Sequence, residues 1–214
     1  MSTLWLYAVS IDEVRGIFGA DPVLAARLRS VAAERFTAPI AGSPGLLGKL
    51  GPVFRRPPDA PVTRPEVPTA LEVEALLASR YLPPDRLGAA WVLLLAWLDV
   101  LAPNPLAIGG DPVQLSEFDF DLACRGVSSR LGLTDLLKVG LGIPLAPAPG
   151  WAAGWVPASH AAAIAGSWRG CLEELAPQRR ELAESVLGWL DAQPRWSGPQ
   201  PEPSAPDLIA IFEP

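Results

Sequence analysis

The sequence predicts an α+β fold: a single, mostly helical domain over residues 1–214, with a small sheet in which the N- and C-terminal strands lie close together. Three observations predict it. Short apolar runs rich in strand formers stand near the two ends of the chain, at residues 4–9 and 208–212. Between them lie several segments with helix-start signals and helical spacing of apolar residues. Half of the residues are hydrophobic and 19% are charged, so the chain can fill one sizeable core and lies far from the composition of disordered segments.

The first run, Leu4-Trp5-Leu6-Tyr7-Ala8-Val9, has no polar alternation and reads as a strand covered on both faces. Ser10 and Glu13 have the spacing of a capping box, which opens a helix reaching Gly19. Asp21-Pro22 restarts a helix with Asp as N-cap and Pro at the first helical position, and Leu24, Leu28, Val31 and Phe36 follow at helical spacing. Residues 38–68 hold eight prolines and four glycines, a density no regular element survives, and read as a flexible insertion.

Thr69 and Glu72 form a second capping-box pattern, opening a helix through Ser79. Pro84-Asp85 precedes the longest apolar stretch, residues 87–101, whose apolar residues surround the helix almost completely; it reads as the central helix of the core. At about fifteen residues with Asp99 inside, it falls short of the roughly 20 that a membrane span needs. Residues 106–108 read as a short strand and Gly109-Gly110-Asp111 as a turn. A short helix is expected from Ser116 and another over 131–139. Residues 144–157 read as irregular, framed by Trp151 and Trp155; helices over 157–175 and 177–190 follow, then a Pro-rich loop and the closing strand.

Charge is unevenly placed. Residues 38–68 carry four basic and two acidic side chains, whereas residues 69–214 carry nine basic and seventeen acidic ones within a net charge of −6. The acidic body argues against nucleic acid and against anionic membranes, since long-range repulsion opposes encounter, and it suits a basic protein partner. The N-terminus has no basic, apolar leader pattern, and Cys124 and Cys171 lack any CxxC spacing. Together these suggest a cytoplasmic chain with two unpaired, buried thiols.

Catalytic patterns are sparse. His160 is the only histidine; its neighbour Ser159 points about 100° away on a helix, too far round for a working dyad. A hydrolase or transferase site would have to assemble in space from His160, Asp119, Asp121 and arginines such as Arg86 or Arg125, with Cys124 or Cys171 as a nucleophile that His160 could serve. Asp111, Glu117, Asp119 and Asp121 are the densest acids, but Phe118 and Phe120 alternate with them, as on an amphipathic edge. No zinc-ligand spacing exists, and no cofactor motif is found. The stronger expectation is a non-enzymatic protein-binding domain, with Trp151, Trp155, Asp119 and Asp121 as candidate partner-binding residues. Tryptophans flanked by Gly and Pro can present aromatic anchors.

The order of elements resembles that of the YfbM-like bacterial family. Tyr7-Ala8-Val9-Ser10 with Asp12-Glu13-Val14 and Asp21-Pro22 resembles its opening strand and helices. Asp85-Arg86-Leu87 through Ala90-Trp91 is similar to its central helix, Gly154-Trp155-Val156-Pro157 to a later turn, and residues 208–212 to its closing strand. Val92 stands where the family motif has a histidine after the tryptophan. The resemblance implies an α+β fold and, by analogy, a binding role of the immunity or accessory type in bacterial conflict systems.

Overall fold

A computed structural model describes residues 2–36, 67–102, 104–193 and 205–214. The Pro-rich insertion expected at 38–68 lies outside these residues except at its last two positions. Among the described residues, seven α-helices accompany a four-stranded antiparallel sheet of order β2-β1-β4-β3, where β1 is Thr3–Ala8, β2 Leu106–Gly109, β3 Ala152–Val156 and β4 Leu208–Glu213. The two end strands are neighbours at the centre of the sheet: Leu4 faces Phe212, Leu6 faces Ala210 and Tyr7 faces Ile209.

Both faces of the sheet are covered, which is why its central strands are apolar without alternation. Leu4, Leu6, Leu208, Ala210 and Phe212 pack on one side, against α5 (Pro112–Ala123), α6 (Ala158–Arg169) and α7 (Pro177–Asp191). Tyr7, Ile209 and Ile211 pack on the other, against α1 (Ile11–Gly16), α2 (Pro22–Phe36), α3 (Ala70–Leu77) and α4 (Leu87–Leu101). As its apolar girth predicts, α4 is the core helix: Leu93, Leu94, Trp97 and Leu98 are fully buried, and Trp91 nearly so.

Several local signals act as their chemistry requires. Asp21 Oδ1 accepts the amides of Val23 (2.7 Å) and Leu24 (3.0 Å) at the start of α2. Glu72 Oε2 accepts the Thr69 amide at 2.6 Å and the Thr69 hydroxyl, completing the box that opens α3. Its other oxygen takes Arg86 Nε at 2.6 Å, and Arg86 also donates to the Val67 carbonyl at 2.9 Å. Among the described residues, Glu72 is the buried acid. Burial alone would push its carboxyl up, but the hydrogen bonds from Arg86 and Thr69 and the Arg86 charge outweigh that and hold it at about 2.

Elsewhere the structure corrects the sequence. The Ser10 hydroxyl accepts from the Asp12 amide (3.2 Å) in place of a Ser10–Glu13 box. The Ile11 amide is taken instead by Asp207 Oδ2 (2.8 Å), which reaches α1 from the segment leading into β4. Helix α1 stops at Gly16, short of Gly19. Helix α5 starts at Pro112, four residues before Ser116, with Asp111 as N-cap and Gln114 closing the box. The helix expected over 131–139 is two 3₁₀ turns, Ser129–Leu131 and Asp135–Leu137. The helix expected over 157–175 ends at Arg169, followed by a 3₁₀ turn at Leu172–Glu174. The stretch expected to be irregular at 144–157 contains β3. Cys171 is buried as expected, whereas Cys124 is exposed.

Strand β3 depends on Gly154. A Cβ there would sit 1.9 Å from the Leu136 carbonyl oxygen, so only glycine lets the 3₁₀ turn at Asp135–Leu137 pass over this edge of the sheet.

Candidate functional site

Asp119 is half-buried on α5, and its carboxylate accepts the backbone amides of Leu133 (2.7 Å) and Thr134 (2.8 Å), fastening the loop that crosses under β3. Gly132 permits this, because a Cβ there would lie within about 2.6 Å of the Asp119 carboxylate. Asp121 meets Arg179 Nε at 3.3 Å, and Arg179 also donates to Glu117 at 2.9 Å. Arg125 donates to the backbone carbonyls of Asp121 (2.6 Å) and Glu174 (2.8 Å), and Arg86 is held by Glu72.

His160 lies in the first turn of α6 with Nε2 2.9 Å from the Arg130 carbonyl oxygen. The Cys171 thiol sits 3.4 Å from the Trp168 carbonyl, and burial pushes its pKa up, away from the thiolate form a nucleophile needs. The groups singled out for acid–base work are thus engaged separately, mostly with backbone. Among the described residues, no group of three or more His, Cys, Asp or Glu is placed to hold a metal ion.

The seven tryptophans among the described residues divide into two sets. Trp97 donates its indole N–H to the Leu28 carbonyl (2.9 Å), Trp168 to Leu131 (3.0 Å), Trp91 to Ala146 (3.0 Å), Trp189 to Asn104 (2.8 Å) and Trp5 to Glu213 Oε2 (2.9 Å). Trp151 and Trp155 are half-buried, and among the described residues neither indole N–H meets an acceptor. A buried indole claims a partner within its own chain; one left open at the surface is the amphipathic kind that serves at interfaces.

The two open tryptophans are held differently. Trp155 lies within β3 opposite Ile209, and the Arg15 guanidinium stands over its ring at 5.5 Å, itself anchored to the Leu141 carbonyl (3.1 Å). Its ring is therefore capped by its own chain. Trp151 immediately precedes β3 and stacks on Trp91 of the core helix, centroids 5.8 Å apart and planes inclined by 25°. This contact fixes the ring, and Trp151 becomes the shared wall of two open grooves.

One groove, of about 430 Å³, runs between the start of β3 and the loop through Leu137, Val139, Leu141 and Ile143. The other, of about 580 Å³, runs toward the start of α4 and is lined by Asp85, Val92, Pro149 and Glu213. Neither is lined by Asp119 or Asp121. Sequence reasoning singled out Trp151 but missed Asp85, Val92 and Glu213, which come to it from far along the chain.

No family model, curated protein or solved structure matches this chain. Among the described residues, no helix is long and apolar enough to cross a membrane.

Proposed function

We propose that this chain is a non-catalytic protein-binding domain whose recognition face centres on Trp151. One observation carries the reading: Trp151 is rigid through its stack on Trp91, half-exposed between two grooves, and its indole N–H has no acceptor among the described residues. Such a ring offers large contact area at small cost in conformational entropy, because its rotamer is already set. The net charge of −6 favours a basic partner, in line with an immunity-type or accessory role. The test is affinity capture from the native host with wild type and Trp151→Ala side by side. The reading expects a specific protein retained by wild type and lost by the variant; equal recovery on both would contradict it.

A further inference from the structure

The groove between Trp151 and the start of α4 differs from its neighbour in charge. Val92, Ala148, Pro149 and Trp151 give it an apolar lining, Asp85 and Glu213 line it as well, and among the described residues no basic side chain does. Glu213 is held in place by the Trp5 indole at Oε2, and among the described residues Oε1 has no partner. Arg86, next to Asp85 in sequence, attracts the Asp85 carboxylate but donates its hydrogen bonds to Glu72 and the Val67 carbonyl and is not among the residues lining the groove. The other groove has no carboxylate among its described lining residues, and its Lys138 is paired with Asp135 at 2.6 Å.

We infer that the acidic groove receives an arginine side chain from an extended segment of the partner. This rests on the protein-binding reading and specifies its chemistry. A guanidinium is flat, weakly hydrated and rich in donors, so it can lie along an indole while hydrogen-bonding carboxylates, and its methylene stem suits an apolar wall. Lysine brings a compact, strongly hydrated charge and gains less from the aromatic side. A nucleic acid or anionic lipid headgroup would meet the two carboxylates that line the groove.

The probe is the blocked tripeptide acetyl-Ala-Arg-Ala-amide, titrated into the ¹⁵N-labelled full chain. The readout is the indole N–H signals of Trp151 and Trp5, assigned with Trp→Phe variants. The Trp5 signal reports on Glu213, its acceptor. Expected is a saturable shift of both signals, with the citrulline-containing peptide binding about tenfold more weakly. Asp85→Asn and Glu213→Gln should each weaken the arginine peptide roughly two- to fivefold, as removal of one partly exposed charge does; the Gln side chain can still accept from Trp5. Equal binding of the citrulline peptide, indifference to both substitutions, or no shift at all would overturn the proposal. So would a dimer that Trp151→Ala dissolves, without any arginine-dependent shift, since the groove would then belong to a second copy. If Trp151→Ala abolishes partner capture but the arginine peptide does not bind, the protein-binding reading survives and the arginine assignment falls.

Discussion

Trp97 and Trp151 are similar in sequence terms, each an aromatic in an apolar stretch, yet the molecule uses them in opposite ways. Trp97 is fully buried in the middle of α4, with its N–H given to the Leu28 carbonyl. Trp151 sits at the edge of the sheet, stacked on Trp91 of the core helix, and among the described residues its indole N–H meets no acceptor. The centre of the fold closes on itself, whereas the β3 edge is built from small residues and two supported aromatics, Trp151 stacked on Trp91 and Trp155 under Arg15. The number of tryptophans therefore says little by itself; whether an indole is satisfied from within separates a ring committed to the core from one that keeps a polar edge for a partner.

The comparison breaks most easily at the centre. Trp97→Ala should destabilise the fold by about 3–5 kcal/mol, the loss of a large buried ring plus the cavity it leaves. Chemical denaturation measures this, and a loss below about 1 kcal/mol would mean that α4 is not the core.

Gly154→Ala tests the edge at its tightest point. The added methyl would meet the Leu136 carbonyl, so the turn must shift, and a loss of about 3 kcal/mol is expected, at the upper end for overpacking. A variant as stable as wild type would show that β3 and the Asp135–Leu137 turn are not packed as described.

Glu72→Gln should cost roughly 3 kcal/mol at neutral pH, since it removes the carboxylate charge to which the nearly buried Arg86 guanidinium donates. The pH dependence has a definite sign. The Glu72 carboxyl is held at about 2 in the folded chain against an ordinary value of 4.5, so its stabilisation is complete above 4.5 and disappears as pH falls toward 2. The gap between wild type and Glu72→Gln should therefore close over that window, as urea denaturation at a series of pH values would register. A gap independent of pH would refute the pairing.

Asp119→Asn is the mildest of these changes, about 1–2 kcal/mol, because an amide can replace only part of what a carboxylate accepts from Leu133 and Thr134. Faster amide exchange confined to residues near 133–134 should accompany it. Unchanged exchange there would argue that Asp119 is free for another role.

What the sequence disclosed follows the range of the forces involved. The central strands, the apolar helix α4, the Asp21 cap and the Thr69–Glu72 box depend on neighbours within a turn or on apolar runs, and each was legible. The Asp207 cap on α1 was not, because its partner lies 196 residues away. Strand β3 was hidden because Ala152-Ala153-Gly154 carries no strand preference; its pairing with β4 and the clearance under Leu136 impose the extended form. Residues 131–139 carry leucines at near-helical spacing, yet the Asp119 carboxylate takes the amides of Leu133 and Thr134 and holds the chain in a loop. At the candidate site, Trp151 stood out from its Gly and Pro neighbours. Asp85, Val92 and Glu213 did not, since only the folded sheet gathers them around it.

On the proposed function, Trp151 serves recognition and contributes little to stability. The most direct measurement pairs both quantities in one variant: Trp151→Ala, with its melting curve recorded beside its affinity for the captured partner. A half-buried ring stacked on Trp91 should cost about 1–2 kcal/mol of stability when removed, while partner binding should fall at least about a hundredfold, as at an interface hot spot. A variant that loses 3 kcal/mol or more of stability and binds as wild type does would place Trp151 with Trp97 in the core and contradict the account.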